Sequence, residues 1–243
     1  DDQRLLYSTS AAGKVSTAYT NVIFLDNTNK GYSYNLTAQL QKNFAFGLSG
    51  MFAYTYGRAE DVNSGTSSTA LSNWEFNQIV NDPNNPPLAT AYYETRHRLV
   101  GSLNYKIAYG PDKAFATGIS LFYNGFSGTP FTYLYNGDLN GDGRFSNDLL
   151  FVPASLEQIN LQDITSGTGT VIQSRQQQWE NLNAFIENDP YLRERRGQYS
   201  ERNGARTPWE HHFDVRIIQD LGAVIGKYRN ALQLTFDVSN VGN

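Results

Sequence analysis

The stretch that decides the fold spans residues 32–40 and reads YSYNLTAQL. Its even positions are Tyr, Tyr, Leu, Ala and Leu, and its odd positions are Ser, Asn, Thr and Gln. A period of two is typical of a β-strand with one apolar and one polar face. The alternation resumes over residues 44–56, so the sequence predicts a hairpin with a very short turn near Lys42.

The same unit recurs twice along the chain. Residues 99–109 and 115–123 alternate in the same way around the turn sequence GPDK, and so do residues 209–221 and 232–238. A weaker pattern over residues 17–25 brings the prediction to about seven strands. Each is near the length of about ten residues that crosses a bilayer when a strand is tilted.

The composition supports an all-β protein. Aromatic residues make up 14% of the 243 positions, a content that favours pleated strands. A composition of 40% hydrophobic and 17% charged residues does not suggest a disordered polymer. The net charge of −4 provides no positive field for phosphate backbones, so no nucleic-acid partner is expected. The lack of cysteine removes disulfides and Cys-ligated zinc from consideration.

Any membrane span in this chain is expected to be a strand. No run approaches the roughly 20 apolar residues that a spanning helix needs. The opening sequence DDQR does not resemble a signal peptide, and both ends look cut from a longer polypeptide. We therefore expect a fragment of a longer protein.

The connections between the predicted strands alternate in length. The turns near Lys42, Asp112 and Ala223 are short, whereas residues 58–93 and 127–206 are long and rich in Asn, Gly, Asp and Ser. Short turns on one side and long loops on the other are typical of outer-membrane barrels. Residues 1–243 are therefore predicted to form part of a large antiparallel transmembrane β-barrel in contact with outer-membrane lipid. Its extracellular loops are predicted over residues 58–93 and 127–206.

A soluble β-sandwich is the structural alternative. Its strands also alternate between apolar and polar residues, because one face of each sheet packs on the core. It has less reason to sort its loops by length, so the pattern favours the membrane barrel.

Three stretches resemble the C-terminal barrel region of TonB-dependent receptors, in particular the Oar-like outer-membrane proteins. They read YLYNGDLNGDG at residues 133–143, FIENDPYL at 185–192 and RGQYSERNGARTPW at 196–209. The closing DVSNVGN, residues 237–243, is similar to the penultimate-strand region of those barrels. The resemblance therefore implies that the N-terminal plug and the final strand are not present in this sequence. The resemblance covers mainly residues 115–243.

The resemblance implies a barrel of about 22 strands, with a plug and a coupling box that engages the TonB complex from a missing N-terminal region. It implies transport of an unidentified substrate across the bacterial outer membrane, with the loops as recognition surface. A second hypothesis is a structural or adhesive barrel without transport, which binds a surface lipoprotein or a secreted protein. A third is a soluble calcium-dependent binding sandwich.

One compact cluster of candidate metal ligands occurs in the second long loop, at residues 138–148. Oxygen side chains at alternate positions precede Gly143 at the sixth place, as in the first half of EF-hand and dockerin calcium loops. The candidate ligands are Asp138, Asn140, Asp142, Arg144 through its carbonyl, Ser146 and Asp148. The twelfth position is Leu149 instead of an acid, so a plain Gly/Asn/Asp turn without an ion is the alternative.

Residues 173–188 place Trp179, Leu182, Phe185 and Ile186 at helical spacing, and Asp189 with Pro190 ends the pattern. We expect a short helix on the loop, with packing against the rest of the loop as the reason for this stripe and contact with a substrate or a surface partner as the alternative. Five arginines between residues 193 and 206 are interleaved with glutamates, which favours a network of mutually neutralising charges over an anion site.

Nothing in the sequence indicates catalysis. His211 and His212 are adjacent on a predicted strand and therefore point to opposite faces, and His97 stands alone. No nucleophile elbow, zinc-protease helix or phosphate-binding Gly loop with Lys occurs. The protein is not expected to be an enzyme.

Overall fold

The computed structural model describes residues 4–6, 18–19, 22–225 and 228–242. The strands are β1 (Tyr32–Asn43), β2 (Leu48–Asp61), β3 (Ala89–Thr90), β4 (His97–Tyr109), β5 (Phe115–Phe126), β6 (Pro130–Phe131), β7 (Phe151–Val152), β8 (Ile164–Thr165), β9 (Val171–Gln173), β10 (Gln198–Tyr199), β11 (Ala205–Arg206), β12 (Glu210–Ile225) and β13 (Tyr228–Val238). The helices are α1 (Ala70–Glu75), α2 (Arg175–Asn188) and α3 (Pro190–Arg193), with 3₁₀ turns at Pro111–Lys113 and Leu156–Gln158. None of these described helices has the length and hydropathy to span a membrane.

The six long strands form one open sheet in the order β1-β2-β4-β5-β12-β13, and the short β3 pairs with the end of β2. The pairs from β2 to β13 are antiparallel. The predicted all-β class and partial antiparallel barrel are confirmed.

The seventh predicted strand, over residues 17–25, is wrong where it can be compared. Residues 18, 19 and 22–25 lie outside any strand, and the remainder falls outside the described residues. Residues 22–25 read VIFL, four apolar residues in succession. Such a run has no polar face and so lacks the two-sided character that the other strands share.

The register sorts side chains onto two faces. One row across the sheet joins Leu48, Tyr105, Ile119, Ile217 and Phe236. The neighbouring row on the opposite face joins Ser49, Asn104, Ser120, Arg216 and Asp237. Because the period of a strand is two, this division continues along every ladder and produces one apolar and one polar face.

The apolar face lies at the surface. Phe52, Leu234 and Phe236 are 52%, 54% and 63% exposed. Large apolar side chains at this exposure would be unfavourable in water, whereas hydrocarbon surroundings stabilise them. These side chains therefore do not enter a closed protein core.

The first turn lies at residues 44–47, not at 41–43 as the alternation predicts. Strand β1 continues to Asn43, so Phe46, predicted to lie on the strand face, belongs to the turn. Gly47 explains the position of the turn. It has φ of 91°, and a Cβ atom there would lie 2.3 Å from the Lys106 carbonyl oxygen, so only glycine fits.

The chain divides into two compact units. The sheet unit comprises Ser33–Arg58, Glu94–Thr129 and Thr207–Asn243, and the loop unit comprises Asp1–Tyr32, Ala59–Tyr93 and Pro130–Arg206. The loop unit has its own buried apolar cluster, formed by Val152, Ile186 and Leu192 with Tyr133, Leu150, Leu182 and Tyr191 packed against it. The long connections are therefore folded structure with a core.

The predicted helix of the second long loop is confirmed as α2. Ser174 accepts a hydrogen bond from the Gln177 backbone N–H, and the Gln177 side chain accepts one from the Ser174 N–H, which forms a capping box. Ile186 is buried and Leu182 packs against the cluster, but Phe185 is exposed. The stripe therefore serves packing within the loop unit along part of its length.

Leu234→Arg is expected to destabilise the full-length barrel by about 2–4 kcal/mol near the bilayer midplane, because it places a charge on the lipid face. Gln233→Arg is the matched control, since Gln233 lies on the polar face with its Nε2 2.7 Å from the Asp220 carboxylate. Urea unfolding in phospholipid bilayers measures both. An equal loss for the two variants would contradict the assignment of the faces.

The sidedness of the connections is accessible to single-cysteine labelling, because the chain contains no cysteine. Thr168→Cys lies in the exposed turn between β8 and β9, and Ala45→Cys lies in the turn after β1. On intact cells, a membrane-impermeant maleimide should label the first variant and spare the second until the outer membrane is permeabilised. The reverse pattern would overturn the extracellular assignment of loops 58–93 and 127–206.

Candidate functional site

The polar face of the sheet carries paired charges. The Lys106 Nζ lies 2.8 Å from an Asp220 carboxylate oxygen, and Arg216 donates two hydrogen bonds to Asp237, of 2.5 and 3.2 Å. Exposed pairs of this kind contribute little stability, about 0–1 kcal/mol each. In an outer-membrane barrel the face opposite the lipid lines the lumen. These side chains therefore form a hydrated wall on which positive and negative charges alternate.

The apolar face carries an aromatic row at the strand ends that lead to the long connections. Hydrogen bonds of 2.8 Å join the Tyr54 hydroxyl to His97 Nδ1 and the Tyr123 hydroxyl to His211 Nδ1. Trp209 stacks on both imidazoles, with centroids 6.1 and 6.2 Å away. Rings with an apolar body and a polar edge suit the headgroup region of a bilayer.

The two adjacent histidines are separated by the strand geometry, as predicted. His211 takes part in the aromatic row, whereas His212 Nε2 lies 3.5 Å from a Glu210 carboxylate oxygen on the other face. His97 and His211 lie on the apolar face and His212 lies on the polar face, so the three histidines do not gather into one site.

Two aspartates of the 138–148 loop organise its backbone. Asp138 accepts hydrogen bonds from the N–H groups of Gly141, Asp142 and Gly143, at 2.7, 3.1 and 2.9 Å. Asp142 accepts from the Arg144 N–H at 2.8 Å and from the Asn140 Nδ2 at 3.1 Å. Carboxylates that accept backbone N–H groups a few residues ahead stabilise turns without an ion.

The third aspartate, Asp148, is fully buried beside a cation. The Arg4 Nη1 donates to Asp148 at 2.6 Å, and the Arg4 Nη2 donates to the Leu149 carbonyl at 2.7 Å. The Leu139 N–H donates to the second carboxylate oxygen at 2.7 Å. Burial raises the pKa of Asp148, whereas the Leu139 N–H and Arg4 act in the opposite direction. Removal of one partner from such a buried pair typically costs about 3–5 kcal/mol.

The loop is anchored at its C-terminal end by the backbone. The Ile79 N–H donates to the Asn147 carbonyl at 2.9 Å, and the Leu149 N–H donates to the Ile79 carbonyl at 3.0 Å. The Tyr135 N–H donates to the Asp148 backbone carbonyl at 2.9 Å. These bonds join three segments of the loop unit that are distant in sequence. The position of the loop is therefore set by tertiary contacts.

The remaining predicted ligands are arranged differently. The Arg144 side chain forms an ion pair of 2.8 Å with Glu75, and Ser146 is exposed with φ of 70°. Within the described residues, no group of three or more His, Cys, Asp or Glu side chains is arranged to hold a metal. The structure brings Asp138, Asn140 and Asp142 together by hydrogen bonds, and calcium binding stays a prediction.

One polar atom of this loop lacks a partner among the described residues. The Asn147 side chain is buried, and its Nδ2 donates to Asp142 at 2.9 Å, but its Oδ1 receives no hydrogen bond from the described part of the chain. A buried acceptor without a donor costs about 1–3 kcal/mol. This oxygen, absent from the predicted ligand set, is the atom that a water molecule or a cation would satisfy.

The loop arginines form the neutralising contacts that the sequence predicts, although some partners are distant. Arg195 pairs with Glu201 at 2.9 Å. Arg196 pairs with Glu187 at 2.6 Å, and Arg202 pairs with Asp61 at 2.7 Å. Sequence reasoning missed Arg4 and Asp61 as partners, because no local pattern links residues so far apart in the chain.

Asp189 connects three parts of the loop unit. It ends α2, its side chain accepts from the Tyr191 and Leu192 N–H groups at the start of α3, and it accepts a hydrogen bond from the Tyr133 hydroxyl. Burial raises the pKa of Tyr133 to about 12, and the hydrogen bond to Asp189 acts in the same direction. The hydroxyl therefore keeps its proton and remains a donor at neutral pH.

Comparison with known proteins agrees with this geometry. Residues 3–243 match the family described as outer membrane beta barrel domain. No curated protein and no solved structure matches the chain. The match covers nearly the whole sequence and places the protein in the bacterial outer membrane. A two-faced antiparallel sheet with an exposed apolar side is the wall that such a barrel requires, and the chain belongs to the outer membrane β-barrel domain family.

Proposed function

We propose that the protein transports a substrate across the outer membrane in a TonB-dependent manner, as a carrier and not as an enzyme. The observation that carries the proposal is the loop unit, which has its own buried cluster, a capped helix and a buried ion pair. Loops whose only task is to connect strands have no need of a core. A folded body in the long connections is suited to hold a recognition surface in one shape.

The polar face of the sheet supports a route for a hydrophilic substrate. Its paired charges, Lys106 with Asp220 and Arg216 with Asp237, leave no strong field of one sign along the wall. Residues 133–143, 185–192 and 196–209 resemble TonB-dependent receptors. This resemblance supports the TonB complex as the energy source for transport. Coupling to the TonB complex would use a region N-terminal to this sequence.

The test is a binding measurement between the purified full-length protein in detergent and the periplasmic domain of TonB from the same bacterium. We expect a stable complex by interferometry, and an eight-stranded outer-membrane barrel under the same conditions should give none. Failure of the full-length protein to bind would contradict TonB-dependent transport. The second candidate, a barrel that binds a protein partner without active transport, would then remain.

The second candidate is a barrel that binds a protein partner, either a surface lipoprotein or a secreted protein, without active transport. The hairpin of β8 and β9 in the loop unit favours it, because Ile164, Val171 and Ile172 are all exposed there. Several exposed apolar side chains on one hairpin are typical of protein-interaction surfaces. Ile172→Asp should then weaken partner capture, whereas TonB binding should be unaffected.

We also propose that the 138–148 loop binds calcium weakly, with the buried Asn147 Oδ1 and the Asp142 carboxylate among the ligands. Calorimetry on the full-length protein should give a dissociation constant on the order of 10⁻⁴ to 10⁻³ M, which suits extracellular calcium. Asp142→Ala should abolish this heat. Asp82→Ala, an exposed aspartate outside the loop, should retain it. If the unaltered protein shows no binding, the loop is a turn held by hydrogen bonds alone.

A further inference from the structure

The loop unit contains a second feature with ligand-binding character, a cavity of about 230 Å³. Its walls come from residues 63–78, from Tyr92 and from the pair Arg202 and Asn203. The lining consists mostly of Asn, Gln, Ser and Thr side chains with two aromatic rings. The acidic loop at residues 138–148 contributes nothing to it, so the cavity is a separate site.

The floor of the cavity is formed by buried, hydrogen-bonded side chains. Arg202, Asn203 and Asn77 are all buried. Asn77 Nδ2 donates to the Val62 carbonyl at 3.0 Å and Asn203 Nδ2 donates to the Thr90 carbonyl at 2.8 Å. Asn203 also adopts φ of 55°, a left-handed conformation that tertiary contacts must hold. Polar groups in the floor are therefore presented in one orientation.

The rim is preorganised by side-chain amides. The Asn73 carboxamide makes two bonds of 2.9 Å with Ser67, one to its N–H and one to its carbonyl. Asn63 donates to the Asn73 carbonyl at 2.7 Å and accepts from the Gly65 N–H at 2.9 Å. A ligand that enters the cavity meets a rim that is already ordered, which reduces the entropy lost on binding.

Hydrogen-bonding capacity remains for a ligand. The Gln78 side-chain oxygen accepts from Thr132 at 3.3 Å, and within the described part of the chain its NH₂ group donates to no residue. The Ser72 hydroxyl accepts from Thr69 at 2.8 Å and keeps its own proton. Carboxamides and hydroxyls both donate and accept, which matches a ligand that is rich in hydroxyl groups.

Two aromatic rings give the cavity its apolar surface. Phe76 and Tyr92 line it and are 57% and 50% exposed. An aromatic face beside amides and hydroxyls can cover the C–H face of a sugar ring, whose edge carries hydroxyls. Neither ring is required for a packed core at that exposure, and a ligand-contacting role accounts for their position.

Charge and size narrow the ligand further. No Asp or Glu is among the described residues that line the cavity, and its one cation, Arg202, is neutralised by Asp61 at 2.7 Å. The site therefore has no net charge to select an anion. Its volume lies below the roughly 300–1,000 Å³ that encloses drug-sized ligands, so it accommodates a single ring.

We propose that this cavity binds one neutral sugar ring of an extracellular glycan, with Phe76 and Tyr92 against the ring face and the Gln78 carboxamide and Ser72 hydroxyl at the sugar hydroxyls. The inference deepens the proposed function, on which it rests, by naming the substrate class that the loops recognise. A peptide is the less suited ligand, because peptide sites typically offer a free strand edge or an apolar groove, and this cavity is concave and polar.

The test uses the purified full-length protein in detergent on an array of neutral oligosaccharides ending in glucose, galactose, mannose or N-acetylglucosamine, with sialylated glycans and peptides on the same array. We expect binding to at least one neutral terminal sugar and competition by the free monosaccharide. Binding only to peptides, only to sialylated glycans, or to none of the probes would overturn the proposal.

Matched variants locate the binding. Phe76→Ala should weaken the affinity about tenfold, the change expected for loss of one stacked ring. Phe46→Ala removes a phenylalanine of similar exposure, 63%, in the turn after β1 and should leave affinity unchanged. An equal effect of the two variants would refute the site. Equilibrium sugar binding needs no TonB, so this result is independent of the TonB measurement. Sugar binding without TonB binding would support the sugar site and contradict TonB-dependent transport. TonB binding without sugar binding would contradict the sugar site alone.

Discussion

Strand pairing in a solvent that offers no hydrogen bonds is the constraint on which the rest of the structure depends. Within hydrocarbon, each backbone N–H and C=O must find its partner in a neighbouring strand. The antiparallel ladders from β2 to β13 meet this demand, and their register also decides which face every side chain occupies. A slip of one residue would move Arg216 from the polar row to the apolar face, where a charge costs about 2–4 kcal/mol at the midplane. The strand register therefore determines both the backbone pairing and which side chains face lipid.

The two units are stabilised by different physics. In the sheet unit the polar contacts are exposed pairs of small value, and stability comes from the ladders and from the match of the apolar face to lipid. The loop unit resembles a small water-soluble fold: it has the Val152, Ile186 and Leu192 cluster, the Ser174 capping box and the Arg4–Asp148 pair. Local hydrogen bonds also stabilise the loop unit. The Asp138 carboxylate accepts backbone N–H groups in a turn, although the same residue type would also suit a calcium loop.

The strands could be predicted from sequence because lipid on one face and water on the other impose a period of two along each strand. Helix α2 could be predicted from its apolar stripe and from Asp189 and Pro190 at its end. The position of the first turn could not, since it depends on the close approach of Gly47 to Lys106 on another strand. The acidic loop was recognisable from the spacing of its oxygens, but not its contact with Arg4, which comes from a distant part of the chain. The cavity combines three separate segments whose Asn, Ser and Thr residues have no periodicity, so only the tertiary structure reveals it.

Phe126 ends β5 and Glu210 begins β12, and these two residues are direct partners in the ladder. The chain between them therefore leaves the sheet and returns to it at neighbouring points. Closure entropy grows only by about 0.6 kcal/mol for each doubling of a flexible loop's length. Lengthening an exposed turn of this segment, such as the one between β8 and β9, therefore costs the sheet little. Exchange of the whole segment would also remove the partners of Arg4, Asp61 and Ile79. Changes of specificity can therefore accumulate in the exposed turns between Phe126 and Glu210 without being limited by the stability of the paired strands.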